Sequence, residues 1–302
     1  MNAMPFFSIC IPTYKNDELL KKLLISIEEQ SFKDYEVIIS DDSDDSSIEN
    51  VVNFKWSFKI YYSKNEIALG SPENWNNAIS KAKGKWVKIM HHDDYFYQED
   101  ALKIMHDEIQ KNLQIDFFFC STILLNSKTK KESKYLPKEK FIQNLKNEPI
   151  NLFLANVIGA PSATIFRRNI SETFDKSLIW LVDIEFYTRI ILNYKSFRIK
   201  DYLIVTNEGL ETQLTTALKD NKKIDLFEIT YCYNKLINFI NTKNKRIFTK
   251  VIFEMIDKYK IESYNEIPKI SKNSLYKFFI YNYANTKSFI VKRLIRILNN
   301  SI

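Results

Sequence analysis

At 302 residues with 45% hydrophobic side chains, the chain can bury one large core or two modest ones, which makes it a globular protein. Its net charge of +7 and pI near 9.0 point to an anionic partner: nucleic acid, a phosphorylated ligand or an anionic membrane surface. No stretch approaches the roughly 18 apolar residues of a membrane span, no signal peptide is legible, and three scattered cysteines fit a reducing, cytosolic compartment.

The first third alternates strand and helix. FFSICI (6–11) reads as a buried strand, and NDELLKKLLISIEEQ (16–30) places Leu19, Leu20, Leu23, Leu24 and Ile27 on one helical face. YEVIIS (35–40) is a second strand, and Ser46 with Glu49 forms a capping-box pattern ahead of a helix to 52. FKIYYS (58–63) is a third strand; the next helix (71–84) has Ser71 as N-cap, Pro72 at its first position and Gly84 as its stop. WVKIM (86–90), a helix over 98–113 and DFFFCSTILL (116–125) follow. From about 126 the rhythm loosens: 126–134 reads as a basic loop, 141–157 and 181–192 as helices, and GAPSATIFRR (159–168) as a strand-like turn. After about 220 only helices are legible.

This order implies a mostly parallel sheet covered by helices on both faces, with ligands bound beyond the carboxyl ends of the strands. Three of those ends carry unusual chemistry: PTYK (12–15), DDSDDS (41–46) and HHDD (91–94). With glycine only at 70, 84, 159 and 209, neither GxGxxG nor GxxxxGK[ST] can be written, and HExxH, CxxC and GxSxG are absent too. A diphosphate can instead be held through Mg²⁺ or Mn²⁺ bridged by carboxylates. Asp93 and Asp94 suit that role, although on residues alone a solvated strand end or helix cap is the commoner explanation of HHDD.

The run from FFSICIPTYKNDELL through QSFKDYEVIISDDSDD to KGKWVKIMHHDD resembles the family 2 glycosyltransferases of GT-A fold, from residue 5 to about 95 without a gap. The shared features are Pro12 and Tyr14, the segment Gln30 to Asp44, Asn65 to Gly70, Asn77 to Ala78, Ala82 to Gly84 and the closing Asp93–Asp94 pair. The resemblance implies an α/β, Rossmann-like GT-A domain over 5–218, with a nucleotide-sugar half (5–125) and an acceptor half (126–218), followed by an α-helical region over 219–302. It implies that Pro12, Thr13, Tyr14 and Asp42 hold the nucleotide base, with Asp41 and Asp44 beside them. Asn65, Gly70, Asn74, His92 and Asp93 belong to the donor side, and Asp94 is the metal ligand. His91 stands where the commoner D-x-D pattern has its first acid.

Sugar transfer with inversion needs a carboxylate to take the acceptor hydroxyl's proton. LVDIEFYTR resembles the family's E-D-x-x-x-x-x-R helix, which puts Asp183 at the general-base position and Arg189 six residues on, while Val182 replaces the preceding Glu and leaves Glu185 as an alternative acid. Pro161 and Ser162 match a G-x-P-S segment on the acceptor side. NEGLETQLT (207–215) takes the place where many relatives carry a metal-binding histidine, with Glu208, Glu211 or Gln213 as weak substitutes.

These features together imply a metal-dependent (Mn²⁺ or Mg²⁺) inverting glycosyltransferase. Its donor would be a nucleotide-sugar, UDP being the family favourite, and its acceptor a lipid-linked saccharide of bacterial surface-glycan assembly, such as lipopolysaccharide, O-antigen or capsule. No nucleic-acid partner is expected. KSFIVKRLIRILNN (287–300) forms a basic amphipathic helix suited to anionic lipid on the cytoplasmic face, or to packing within the protein. The competing readings are a nucleotidyltransferase, a charge-driven nucleic-acid or membrane-binding protein that needs neither Asp94 nor Asp183, and an inactive scaffold.

Overall fold

The computed structural model describes residues 4–135, 137, 139–210, 218, 220–270 and 275–301. Two compact units emerge: Met1–Lys138 with Ile158–Glu211, and Glu139–Val157 with Thr212–Ile302. The stretch 139–157 thus groups with the C-terminal helices.

The chain runs β1 (Phe7–Thr13), α1 (Asp17–Glu28), β2 (Tyr35–Asp41), α2 (Ser47–Val52), β3 (Ile60–Lys64), α3 (Glu73–Ser80), β4 (Trp86–Ile89), β5 (Tyr95–Phe96), α4 (Ala101–Lys111), β6 (Phe117–Asn126) and β7 (Glu132–Tyr135). It continues through α5 (Glu139–Asn144), β8 (Thr164–Arg167), α6 (Val182–Asn193) and β9 (Ser196–Glu208). Every residue of β1 and β4 is buried, as in a strand covered on both faces. Phe7, Ile9 and Ile11 of β1 share one core with Leu20, Leu23, Leu24 and Ile27 of α1 and Leu102, Met105 and Ile109 of α4. Each such side chain contributes about 1.5–3 kcal/mol when taken from water.

The sheet order is β3-β2-β1-β4-β8-β6-β9-β5, with β7 hairpinned onto β6. The half formed by β3, β2, β1 and β4 is wholly parallel. Beyond it the sheet is mixed: β8 runs antiparallel to β4 and β6, β6 and β9 are parallel, and β5 is antiparallel to β9. Thr13 pairs with Asp41 and Cys10 with Ile89, so the carboxyl ends of β1, β2 and β4 reach one edge. The antiparallel β8 begins at that edge, which brings residues 161–163 beside the end of β4.

Some local expectations are corrected. Ser46 makes no capping bond; the Asp45 carboxylate accepts from the Ser47 N–H and hydroxyl. Ser71 is not a helix cap either, since α3 starts at Glu73. The single helix expected over 141–157 is a short α5 followed by a 3-10 turn at Pro149–Phe153, because proline interrupts helical hydrogen bonding. Residues 126–134 form a turn and the start of β7, where Asn126 Oδ1 accepts from the Lys128 and Thr129 N–H groups.

The second unit adds α7 (Lys222–Leu236), α8 (Thr242–Lys258), α9 (Leu275–Ala284) and α10 (Phe289–Ser301). Asn221 and Asn241 cap α7 and α8 by accepting backbone N–H bonds. Phe253 of α8 stacks on Tyr283 of α9 at 4.1 Å, and Tyr233 of α7 meets Phe248 of α8 edge-on at 5.4 Å. Phe153 of the 3-10 turn lies 4.7 Å from Phe248.

Candidate active site

The rim is built first by carboxylates that organise loops. Asp41 is wholly buried: its Oδ1 accepts from the Thr13 hydroxyl (3.1 Å) and the Ser43 N–H and hydroxyl (2.9 and 2.6 Å), its Oδ2 from the Tyr62 hydroxyl (2.9 Å). The Tyr62 hydroxyl is accordingly held far above its ordinary pKa by burial and by that carboxylate. Asp42 accepts from the Asn65 amide (2.7 Å) and from the Leu69 and Gly70 N–H groups (3.0 and 2.8 Å), tying the 65–70 loop to β2. Gly70 has φ +73°, a conformation that disfavours a side chain. Asn74 donates to the Thr13 carbonyl, and Asn77 to Asn65 and Ser40. The predicted residues Thr13, Asp41, Asp42, Asn65, Gly70 and Asn74 are therefore one hydrogen-bonded network, with Tyr14 exposed beside it.

The second part of the rim is the turn His91–Asp94 between β4 and β5. One donor atom each from His91, Asp93 and Asp94 lie within 4.8 Å of one another. Asp94 is buried; its Oδ1 accepts from the Asn207 N–H (3.2 Å) and it is hydrogen-bonded by Ser162. Burial, then the neighbouring Asp93 charge, push its carboxyl well above the usual range. The Asn207 amide also donates to the Asp93 carbonyl. His91 donates its backbone N–H to Ser162 Oγ (2.9 Å), packs its ring 4.5 Å from Trp75, and has a buried Nε2 without a hydrogen-bond partner. Burial pushes its pKa down to about 4, so its imidazole is neutral at pH 7 and free to act as a donor atom. The two carboxylates are hard oxygen donors that fit Mn²⁺ or Mg²⁺, with a neutral imidazole beside them.

Sequence reasoning missed two contributors. Lys88 is fully buried in β4, donating to the Ile89 carbonyl (3.1 Å) and the Ser162 carbonyl; burial lowers its pKa to about 8, against opposing charges including Asp94. A lysine in the middle of WVKIM was the only signal. Asn207, near the end of a strand that was not legible, opens the NEGLETQLT segment that takes the place of the relatives' metal-binding histidine, but was not itself singled out.

The residues expected on the acceptor side connect to this rim through packing. Trp75 touches Phe174 edge-on at 5.2 Å, and Phe174 stacks on Phe186 of α6 at 4.1 Å. Tyr187 of α6 donates to the Gly159 carbonyl (3.2 Å), two residues before Pro161 and Ser162. These contacts hold the first turn of α6, with Asp183 and Glu185, against the loop that braces Asp94. Glu185 is wholly buried and bonds Arg189 twice (2.6 and 2.9 Å), while Arg189 also reaches Glu172 and the Thr173 carbonyl. Asp183 is partly exposed, its Oδ1 accepting from the Ile184 N–H at 2.9 Å. Glu208 closes β9 and is exposed; Glu211 and Gln213 lie outside the described residues. His106 packs between Phe6 and Phe32, away from this chemistry.

Residues 8–174 match the Glycosyl transferase family 2 profile. The chain belongs to that family. This glycosyltransferase is 36% identical over 94 residues to a Campylobacter jejuni GalNAc(5)-diNAcBac-PP-undecaprenol beta-1,3-glucosyltransferase, a match covering 30% of each chain. In fold it resembles Staphylococcus aureus TarS 1-349 in complex with UDP, at TM-score 0.64 and 18% identity over 83% of this chain and 72% of that one. It also resembles the mannosyltransferase PcManGT from Pyrobaculum calidifontis, solved with GDP-Man and Mn²⁺, at TM-score 0.54 and 13% identity over 99% of this chain and 85% of that one. The fold is GT-A, and the charge-driven binding reading gives way to an enzyme.

Proposed function

We propose that this enzyme transfers a sugar, with inversion, from a UDP-sugar to a hydroxyl of a lipid-linked saccharide in bacterial surface-glycan assembly. The observation that carries the reading is the convergence of His91, Asp93 and Asp94 at the edge that also carries the Thr13–Asp41–Asp42 network. A relative named for a PP-undecaprenol-linked saccharide and a structural neighbour bound to UDP support the choice of acceptor and donor.

In this reading the Pro12–Tyr14 segment and Asp42 receive the nucleotide base, with the 65–74 loop closing beside them. Asp94, with Asp93, would hold the divalent cation, which when bound supplies positive charge against the departing diphosphate. Asp183 accepts the proton of the acceptor hydroxyl as its oxygen bonds to the anomeric carbon and the bond from that carbon to the diphosphate breaks. Glu185 is a poorer base because both its oxygens are engaged by Arg189. In this reading the enzyme works at the cytoplasmic face of the membrane.

The test is thermal stability with UDP, GDP, dTDP and CDP, each with and without Mn²⁺, in wild type and Asp94→Asn. A ligand specific for the folded state at about a hundred times its dissociation constant adds roughly 2.7 kcal/mol. A Mn²⁺-dependent shift with UDP that Asp94→Asn abolishes is expected; the absence of any nucleotide shift overturns the reading.

A further inference from the structure

The excess charge of the chain is confined to its end. Seven lysines and arginines and no acid follow Glu266, which equals the whole net charge of +7, so residues 1–266 are balanced. Within this stretch α10 is oriented against the usual rule that a helix turns its apolar stripe inward. Lys292 and Arg296 lie on the side turned to α8, where both bind the solvent-exposed Asp257 (2.8 and 2.9 Å), while Arg296 Nε and the Asp257 carboxylate share the Tyr283 hydroxyl. Ile295 and Asn299 are buried on the same side.

The opposite side is apolar and in water. Ile290, Leu294 and Ile297, spaced by four and three residues, form its centre, with Val291 and Leu298 alongside; Ile290 is 71% exposed and Phe289 79%. On the preceding helix, α9, Leu275, Phe278 (61% exposed) and Tyr281 are exposed as well. Arg293 is exposed on α10 among these residues. An apolar patch of this extent marks a surface that is covered in use.

We propose that the exposed apolar face of α10 docks on an anionic lipid bilayer. Charge selects the occupant: a second copy would bring the exposed Arg293 and the same acid-free, cationic end of the chain against its like, whereas anionic headgroups complement them. Length selects the mode, since no helix among the described residues is long and apolar enough to cross a membrane. A helix with a large apolar face and cations at its margin lies in the interface plane, its apolar side chains among the acyl chains. The inference deepens the proposed function by naming the surface that brings the enzyme to a lipid-linked acceptor, but its observations belong to the second unit alone.

The experiment is co-sedimentation of the full chain with phosphatidylcholine vesicles and with vesicles containing phosphatidylglycerol. It compares wild type, Arg293→Glu and the triple variant Ile290→Ser, Leu294→Ser, Leu298→Ser. Because the substituted side chains are exposed, circular dichroism should show unchanged folding. Wild type should pellet with phosphatidylglycerol vesicles, the triple variant should lose about tenfold or more in affinity, and Arg293→Glu should lose affinity for anionic vesicles. Wild type remaining in the supernatant, or a triple variant that binds equally, overturns the proposal; so does concentration-dependent self-association that the triple variant abolishes. The UDP shift, measured in parallel without vesicles, tells a failure of this surface from a failure of the catalytic reading.

Discussion

Lys88 lies six positions before Asp94 in a strand with no exposed residue, and its ammonium donates to two carbonyl oxygens and lies 5.8 Å from the Phe96 ring. Its pKa falls from the free-lysine value to about 8, so the native state binds fewer protons than the unfolded chain between about pH 8 and 10.4. Stability contributed by this residue therefore rises with pH across that window and is lowest at and below pH 7. Urea denaturation of wild type and Lys88→Met from pH 7 to 10 should show that increment in wild type alone; parallel curves would remove the argument.

The two carboxylates of α6 should part company under substitution. Asp183→Asn is expected to lower turnover by about 10²–10⁴-fold while leaving the nucleotide shift intact. Glu185→Gln should instead cost about 1.5–3 kcal/mol of stability, because it takes the bidentate carboxylate from an Arg189 guanidinium that keeps Glu172 and the Thr173 carbonyl. Turnover that survives in Asp183→Asn and vanishes in a folded Glu185→Gln would reverse the assignment. The family resemblance put Asp183 first with Glu185 as the alternative, and the structure adds that Glu185 is the one engaged in an ion pair. Asp93, Asp94, Asp41 and Asp42 were legible because like charges crowded at strand ends are conspicuous. Trp75 and Asn207 were not, since their roles exist only through tertiary contact.

At the scale of elements, the parallel half of the sheet was readable because strands buried on both faces appear as continuous apolar runs. β9 was hidden for the opposite reason: SFRIKDYLIVTNE carries Arg198, Lys200 and Asp201 in its first half, and its register against β6 shifts at Cys120–Thr122. β7, short and polar, has the composition of the loop it was taken for. The junction of α3 and β4 depends on Gly84, where a Cβ would stand 2.7 Å from Phe7 C and Ser8 N, and whose N–H meets Ser8 Oγ and the buried Glu36 carboxylate. Gly84→Ala should destabilise the protein by about 1–3 kcal/mol in a denaturant melt, since backbone rather than a flexible side chain must yield. An unchanged midpoint would show that β1 and β4 separate more easily than their pairing implies.

Across the whole molecule, the helical character of the C-terminal region was evident from sequence, but the orientation of α10 was not. A helical period identifies two faces without saying which one turns inward; Asp257, 35 residues before Lys292, decides that. Asp257→Ala should release Lys292, Arg296 and Tyr283 together. Hydrogen exchange of α10 amides is then expected to accelerate while β1 and β2 stay protected, and an unaltered α10 would mean that Ile295 and Asn299 suffice to hold it.

The contact between Trp75 and His91 gives the enzyme an optical reporter of its own. The indole lies 4.5 Å from an imidazole at the rim proposed to receive cation and donor, so a change in the charge or orientation of that ring alters the quenching of Trp75 emission. With Trp56, Trp86 and Trp180 replaced by phenylalanine, intrinsic fluorescence would follow occupancy of the rim in unlabelled protein, on the timescale of a stopped-flow mixing experiment and without any knowledge of the sugar.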